Sequence, residues 1–484
     1  MRLDSPNTAK MGRSILFRSV LVAVMFIGIA TVSQAADFSI TPQMASFDCS
    51  KASPGDTLTI VSGTRGPLKV NNCNGSDSKR ITIRNDARGN GPAIIRRDSG
   101  GGGGFIFACS NCVGVTIDGS QKWQGAPNGR TYGIQITLTG GGGPSAFFKV
   151  DGVSRFLTIR GVEVDGAWPR LANGGIGISV NDHSVTLDNH PGLWREGILI
   201  ENSYVHNVEG EGLYVGPNYG TGIPLRNIEI RNNLIEDIGW DGINTKSMWT
   251  GENRIHHNVI RRVGINTSDQ TDSSQYSGIA NTAGTVKIYN NWIEKTGQHG
   301  IKQWTAGGPS ASAGKGPFDT YIWNNIVVDA GSFWRSFMSD SNGIHIGAKA
   351  GLEEPNVFVF SNTIVNSRQI GIRAASNVGG GYIRDNIVVD AKAAAVSAAS
   401  SIAVRNNRIG TAAQLSFVDA AALNFRLRAD SPARNQGDNQ QFPETDFDDV
   451  VRPQDGTPDQ GAFEYAEAGA VASKPNAPNS IVVE

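Results

Sequence analysis

Ile230-Arg231-Asn232-Asn233-Leu234-Ile235 returns along the chain as Ile255-His256-His257-Asn258-Val259-Ile260, Ile288-Tyr289-Asn290-Asn291-Trp292-Ile293 and Ile322-Trp323-Asn324-Asn325-Ile326-Val327. It continues as Val359-Phe360-Ser361-Asn362-Thr363-Ile364, Ile383-Arg384-Asp385-Asn386-Ile387-Val388 and Val404-Arg405-Asn406-Asn407-Arg408-Ile409. The Asn column falls at 233, 258, 291, 325, 362, 386 and 407, with steps between 21 and 37 residues. A floor with variable excess describes structural coils carrying loop insertions. A second phrase follows each first one: Glu211-Gly212-Leu213-Tyr214, Asp241-Gly242-Ile243-Asn244, Ser277-Gly278-Ile279-Ala280, His299-Gly300-Ile301-Lys302, Asn342-Gly343-Ile344-His345 and Ile370-Gly371-Ile372-Arg373. Both phrases are short, β-branched and alternating, which defines strands, and the Gly and Asn between them define turns.

Two or three short strands per coil, stacked along an axis, make an all-β solenoid, a parallel β-helix of about a dozen coils. Each coil buries its apolar face only against its neighbours. The Asn column is expected to form a ladder of side-chain hydrogen bonds from coil to coil. Trp292, equivalent to Leu234 and Ile326, is expected in the core.

These phrases resemble the repeats of right-handed parallel β-helix proteins of the pectate-lyase-like superfamily. Ser53-Pro54-Gly55-Asp56-Thr57-Leu58-Thr59-Ile60 is similar to the first coil of exported members. Arg452-Pro453-Gln454-Asp455-Gly456-Thr457-Pro458-Asp459-Gln460-Gly461 is similar to their closing segment. The resemblance spans about residues 40–465 and implies the fold; the superfamily holds lyases, hydrolases, epimerases and non-enzymes, so it leaves activity open.

The 43 Lys and Arg nearly balance the 44 Asp and Glu, leaving a charge of −1 and no basic surplus for gripping nucleic acid. Gly is abundant at 60 residues, but the 20 Pro exclude a collagen-like or Pro-rich chain. Residues 1–36 have the pattern of a secretory signal: Lys10, Arg13 and Arg18, then the apolar run Val20–Ala30, then Ser33-Gln34-Ala35 as the cleavage site. The mature chain is therefore expected to be secreted or periplasmic, without a membrane span, and to act as a monomer. A β-helix domain is expected over 37–465 and a disordered tail over 466–484. Cys49, Cys73, Cys109 and Cys112 fit disulfides in an exported protein, with Cys49–Cys73 and Cys109–Cys112 one possible pairing and a four-Cys zinc site the alternative.

With Ile243, Ile279, Ile301, Ile344 and Ile372 inside, their following residues face outward. That column contains Tyr214, Asn244, Ala280, Lys302, His345 and Arg373, and the next outward position holds Lys246 and Trp304. Insertions at about 265–276, 306–319 and 332–341 would rise beside it, the last carrying Trp334, and Trp249 follows the Lys246 strand. Cations for carboxylates beside flat rings for sugar faces suit an acidic polysaccharide.

Two chemistries compete for this strip. The run Ile243-Asn244-Thr245-Lys246-Ser247, followed by Asn253-Arg254-Ile255-His256-His257-Asn258, is similar to the lysine-bearing coil of the chondroitinase B and alginate lyase family. That resemblance implies β-elimination on a uronate with Lys246 as base. That family places an Arg-His-Gly run on the next coil, which reads Ser277-Gly278-Ile279-Ala280 here, so Lys302, His345 or Arg373 would substitute from further along. Glu211-Gly212 and Asp241-Gly242 on adjacent coils, with His299-Gly300 further on, instead resemble polygalacturonase-like hydrolases, although Trp240 stands where that family has a second Asp. Glu209, Glu211 and Asp241 are also candidates to hold Ca²⁺. A third reading is a non-catalytic polysaccharide-binding or surface protein.

Overall fold

The computed structural model describes residues 35–98, 103–172, 174–217, 222–266, 275–305, 319–338, 340–349 and 354–467. Residues 1–34 of the expected signal segment 1–36, residues 468–484 of the segment expected to be a disordered tail, and most of the 265–276 and 306–319 insertions lie outside the described residues. Among the described residues no helix is long and apolar enough to cross a membrane.

The chain winds as a parallel β-helix with three faces. The first face holds Leu225–Arg231, Arg254–His256, Val286–Tyr289, Asp319–Trp323 and Glu354–Phe360, each paired in parallel with the next. The second is a 12-stranded sheet that includes Leu234–Ile238, Val259–Val263, Trp292–Thr296 and Ile326–Val328. The third holds Leu213–Val215, Ile243–Thr250, Ile279–Gly284, Ile301–Thr305, Ile344–Ala348 and Ile370–Ala374. Strand Ile243–Thr250 bends at Ser247, whose φ is +60°, and its far end pairs with the first face at Leu225. The first and third faces therefore join into one 25-stranded sheet.

The two corners flanking the second face explain the two phrases. At the first corner, Asn232, His257, Asn290, Asn324, Ser361, Asp385 and Asn406 all adopt φ between +50° and +55°, a conformation that favours Asn and Asp. The residue after each turns inward and builds the ladder. Asn233 Nδ2 donates to Asn258 Oδ1 at 3.0 Å, Asn258 to Asn291 at 3.0 Å and Asn291 to Asn325 at 2.9 Å. The series runs on through Asn362 and Asn386 to Asn407. At the other corner Gly is sterically required: a Cβ on Gly242 would stand 2.7 Å from Gly278 O and from Ile260 Cγ2. Gly300 and Gly343 meet the same obstruction from Val327 and Ile364.

Ile243, Ile279, Ile301, Ile344 and Ile372 are fully buried inside the coils, each contributing about 2 kcal/mol of apolar burial. Trp292 is also buried, at 3% exposure, but outside the coils. It belongs with Ile326, Phe425, Leu427 and Phe463 to a second apolar cluster, formed where the C-terminal segment packs on the outer surface of the second sheet. Alternation decides this, because Ile293 and Val327, one residue on, fill the interior. The ladders end at Arg408–Gly410, and the following segment, with an antiparallel hairpin of Phe417–Asp419 and Asn424–Leu427, lies along the side. The buried Arg452–Glu464 pair, 3.2 Å apart, ties its closing turns. Near the N-terminus, disulfides join Cys49 to Cys73 and Cys109 to Cys112.

Candidate active site on the third face

Register places the outward column in line. Tyr214 pairs with Asn244, Asn244 with Ala280, Ala280 with Lys302, Lys302 with His345 and His345 with Arg373. The column is less open than an exposed sheet, since Tyr214, Asn244 and His345 are each about 5% exposed while Lys302 and Arg373 are half-buried. Residues three apart meet across the corner: Asn244 Nδ2 donates to Asp241 Oδ2 at 2.9 Å, and Asn342 Nδ2 lies 2.9 Å from His345 Nδ1. On these two coils a corner group and a strand group meet in the same cleft.

The cationic end centres on Asp340, a residue the sequence reading did not single out. Its Oδ2 accepts from Arg373 at 2.7 Å and from Asn342 Nδ2 at 3.1 Å, and its Oδ1 lies 3.6 Å from His299 Nε2. The His299 and His345 rings are 4.5 Å apart, and His345 lies 5.5 Å from the Trp304 ring. Burial pushes both imidazoles below their usual value, His299 well below, and the Lys302 and Arg373 charges act in the same direction against Asp340. Lys302 Nζ sits 5.7 Å over the Trp304 ring, whose edge is seated on Gly347, where a Cβ would be 2.7 Å from Trp304 Cζ3.

The acidic end holds Glu211 and Asp241, 3% and 1% exposed. Asp241 Oδ1 accepts from the Ser277 backbone N–H at 2.7 Å. The Gln275 amide, oriented with nitrogen inward, donates to both Glu211 Oε1 and Asp241 Oδ2 at 3.3 Å. Lys246 Nζ lies 5.0 Å over the Tyr214 ring. Along the axis, Ile243 and Ile344 are three coils apart in register, so the acidic and cationic ends are separated by ~14 Å.

The remaining aromatic candidates lie apart. Trp249 sits beyond the Ser247 bend, at the corner toward the first face. Trp334 lies at the turn before the third face, with the Arg368 guanidinium 4.2 Å over its ring. Asp237 is on the second face and pairs with Arg262 at 2.7 Å. Glu209 accepts from the Gly174 N–H at 2.8 Å.

The groups close enough to share one ion, among the described residues, are His299–Asp340–His345 and Asp455–Asp459–Glu464. The Ca²⁺ trio of Glu209, Glu211 and Asp241 is not among them. The first group does not fit a cation. The Asn342 N–H donates to His299 Nδ1 at 3.1 Å, so in the neutral ring the proton sits on Nε2, the atom facing Asp340. Arg373 already occupies the carboxylate. In the second group, Glu464 is engaged by Arg452 and by the Asp459 N–H.

A large recess, of about 590 Å³, lies elsewhere, between the first face and the C-terminal segment, lined by Tyr289, Tyr321, Trp323, Phe360 and Phe442. The rings of His256, Tyr289 and Trp323 stack face to face at 4.5 and 4.3 Å. Their faces are consumed by one another and only edges remain for a ligand, which makes this a ring ladder rather than a sugar platform.

The fold is a parallel β-helix, and solved structures of other proteins share it. Pectate lyase Pel9A shares this fold at 14% identity, with a TM-score of 0.51 over 90% of this chain and 98% of that one. Looser matches are a lacto-N-biosidase from Eubacterium ramulus, at 13% identity and TM-score 0.47 over 78% of this chain and 68% of that one, and alginate lyase AlyGC, at 12% and 0.40 over 77% and 51%. At such identities the likeness establishes the fold and leaves the chemistry to the residues. No family model matches the chain, and no curated protein sequence matches it.

Proposed function

We propose that this protein is an exported, monomeric polysaccharide lyase that binds a uronate-containing chain along the third face and cleaves it by β-elimination. The observation that carries this reading is the alignment of Lys302, His345 and Arg373 on consecutive coils around Asp340, beside the Trp304 ring. Arg373 and His345 would face the uronate carboxylate, whose charge grows as the C5 proton leaves. Lys302 in its amine form would take that proton. The C4–O4 bond breaks as the C4=C5 double bond forms, and the departing oxygen recovers a proton from the ammonium just formed. Trp304 would stack on a sugar face, with Lys246, Tyr214 and Asn244 further along the chain.

A second reading rests on the Gln275 bridge. It holds Glu211 and Asp241 together on adjacent coils, a paired carboxylate arrangement that suits a glycoside hydrolase. Purified residues 37–484, incubated with alginate, pectate, glycosaminoglycans and bacterial exopolysaccharides, separate these readings. Ultraviolet absorbance of an unsaturated uronate supports elimination. New reducing ends without that absorbance move the chemistry to Glu211 and Asp241, and binding with neither product leaves a non-catalytic module.

A further inference from the structure

The recess between the first face and the C-terminal segment does not end at Phe360. A second hollow, of about 420 Å³, continues it and shares Tyr321, Phe360 and Phe442 with it. The two form one trough across successive coils, since Lys287 pairs in register with Tyr321, Tyr321 with Phe358 and Phe358 with Tyr382. Its floor is made of ring edges, because Tyr321 stacks on Phe358 at 4.8 Å and Trp323 on Phe360 at 5.8 Å. Phe442 and Pro443 form the wall. Lys287 is paired with Glu252 at 2.7 Å and Arg384 with Asp385, so the positive charges on the floor are balanced. The exposed Glu444 and Asp449 make the rim of the wall acidic, with His257 3.8 Å from Asp449. An occupant of this trough must be slender, extended and apolar, and must bring a cation to the rim. Pro-rich segments in the polyproline II conformation meet the first three demands and dock in aromatic-lined grooves.

The chain itself contains such a segment, beyond the described residues. Lys474-Pro475-Asn476-Ala477-Pro478 is a Pro-x-x-Pro run led by a cation. Proline fixes φ near −65°, so a run of this kind loses little backbone freedom on docking. The described chain also stops beside the trough. The Glu464 N–H donates to Asp446 Oδ2 at 2.8 Å and the Phe447 N–H to Ala462 O at 2.9 Å, next along the chain from Thr445, which lines the trough. Pro475 stands eight residues after Glu467, a reach of ~25 Å at the polyproline II rise. We propose that residues 474–478 dock in this trough within the same molecule, with both prolines over the ring edges beside Phe442 and Lys474 at the Glu444 and Asp449 carboxylates. The docked run seals the aromatic trough and straps the C-terminal segment to the first face. Tethering supplies an effective concentration on the order of millimolar, so contacts too weak for a separate peptide suffice.

The test is zero-length carbodiimide cross-linking of residues 37–484, mixed in equal parts as ¹⁴N and ¹⁵N protein, digested and read by mass spectrometry. The Lys287–Glu252 pair should link and shows that the reagent works. The proposal expects an amide between Lys474 and Glu444 or Asp449, with both halves carrying the same isotope. The double variant Pro475→Ser, Pro478→Ser should lower its yield ~10-fold, the scale of one or two lost apolar contacts. These two prolines lie outside the described fold, so the variant removes none of its packing; Phe442→Ala, on the wall, should lower the yield to the same extent. Absence of the Lys474 link while the control pair links overturns the proposal. A link that is unchanged in the double proline variant also overturns it, since charge alone would then bring Lys474 to the rim. Links of mixed isotope would make the trough a contact between two copies and overturn docking within one molecule. None of these readouts depends on whether the third face cleaves a polysaccharide.

Discussion

The two corners that flank the second face are built on the same coil geometry and have opposite chemistry. At the first corner the same side chain recurs, and each Asn satisfies its neighbour: Asn291 accepts from Asn258 and donates to Asn325 and to the Ile255 and Tyr289 carbonyls. At the second corner Gly recurs for steric reasons, while the residue before it changes from Glu211 to Asp241, Ser277, His299, Asn342 and Ile370. A column that repeats one residue is holding the coils together. A column whose backbone repeats while its side chains diversify is free to hold chemistry, because the fold does not depend on which side chain stands there.

The sharpest way to break this comparison is to substitute the ladder at the first corner and the strand column beside the second. Lys302→Ala should lower lyase activity ~1000-fold, the weight of a lost general base, without moving the unfolding midpoint. Full activity in that variant and in Lys246→Ala would remove the elimination mechanism. Asn291→Ala should do the reverse. It strips buried partners from Asn258, Asn325 and two carbonyls, and a loss of ~3 kcal/mol in urea unfolding is expected, with activity per folded molecule retained. A stability loss below ~1 kcal/mol would mean that the ladder is ornamental.

Smaller effects sharpen the picture. Gly347→Ala drives a Cβ into the Trp304 ring, so KM should rise ~10-fold, the scale of one lost stacking contact, while kcat changes little. Equal loss in kcat would show that Trp304 orients the reacting sugar itself. The smallest effect belongs to His256, beside the ladder, whose pKa burial pushes down to about 4. The unfolded chain binds the proton near pH ~6.5 and the folded one only near 4, so this contribution is complete above pH ~6.5 and is lost as pH falls toward 4. Unfolding free energies from urea titrations at pH 7 and 5 should differ by about 1–2 kcal/mol, and His256→Gln should flatten that slope.

The outward column could be written down from the sequence because strand alternation and the Gly-Ile phrase fix parity and register together. The centre of the site could not. Asp340 lies two residues before Asn342-Gly343, the place that Gln275 and Glu209 hold on other coils, and that recurrence was the available signal. Asn342 stood in the quoted phrase, but only the folded chain brings its backbone N–H to His299 and its amide to Asp340. Trp292 was legible as buried but not as facing outward, because both surfaces of the second sheet are covered. The cover on the outer one comes from a segment about 130 residues later in the chain.

The sequence by itself determined the coil, its two corners, the ladder and the direction of the side chains on the third face. These follow from local periodicity and from steric limits that act within one repeat and its neighbour. Only the tertiary structure decided which corner groups converge on one carboxylate and which carboxylates share an amide. Those depend on insertions folding back over other coils and on hydrogen-bond directions, and neither leaves a period in the sequence.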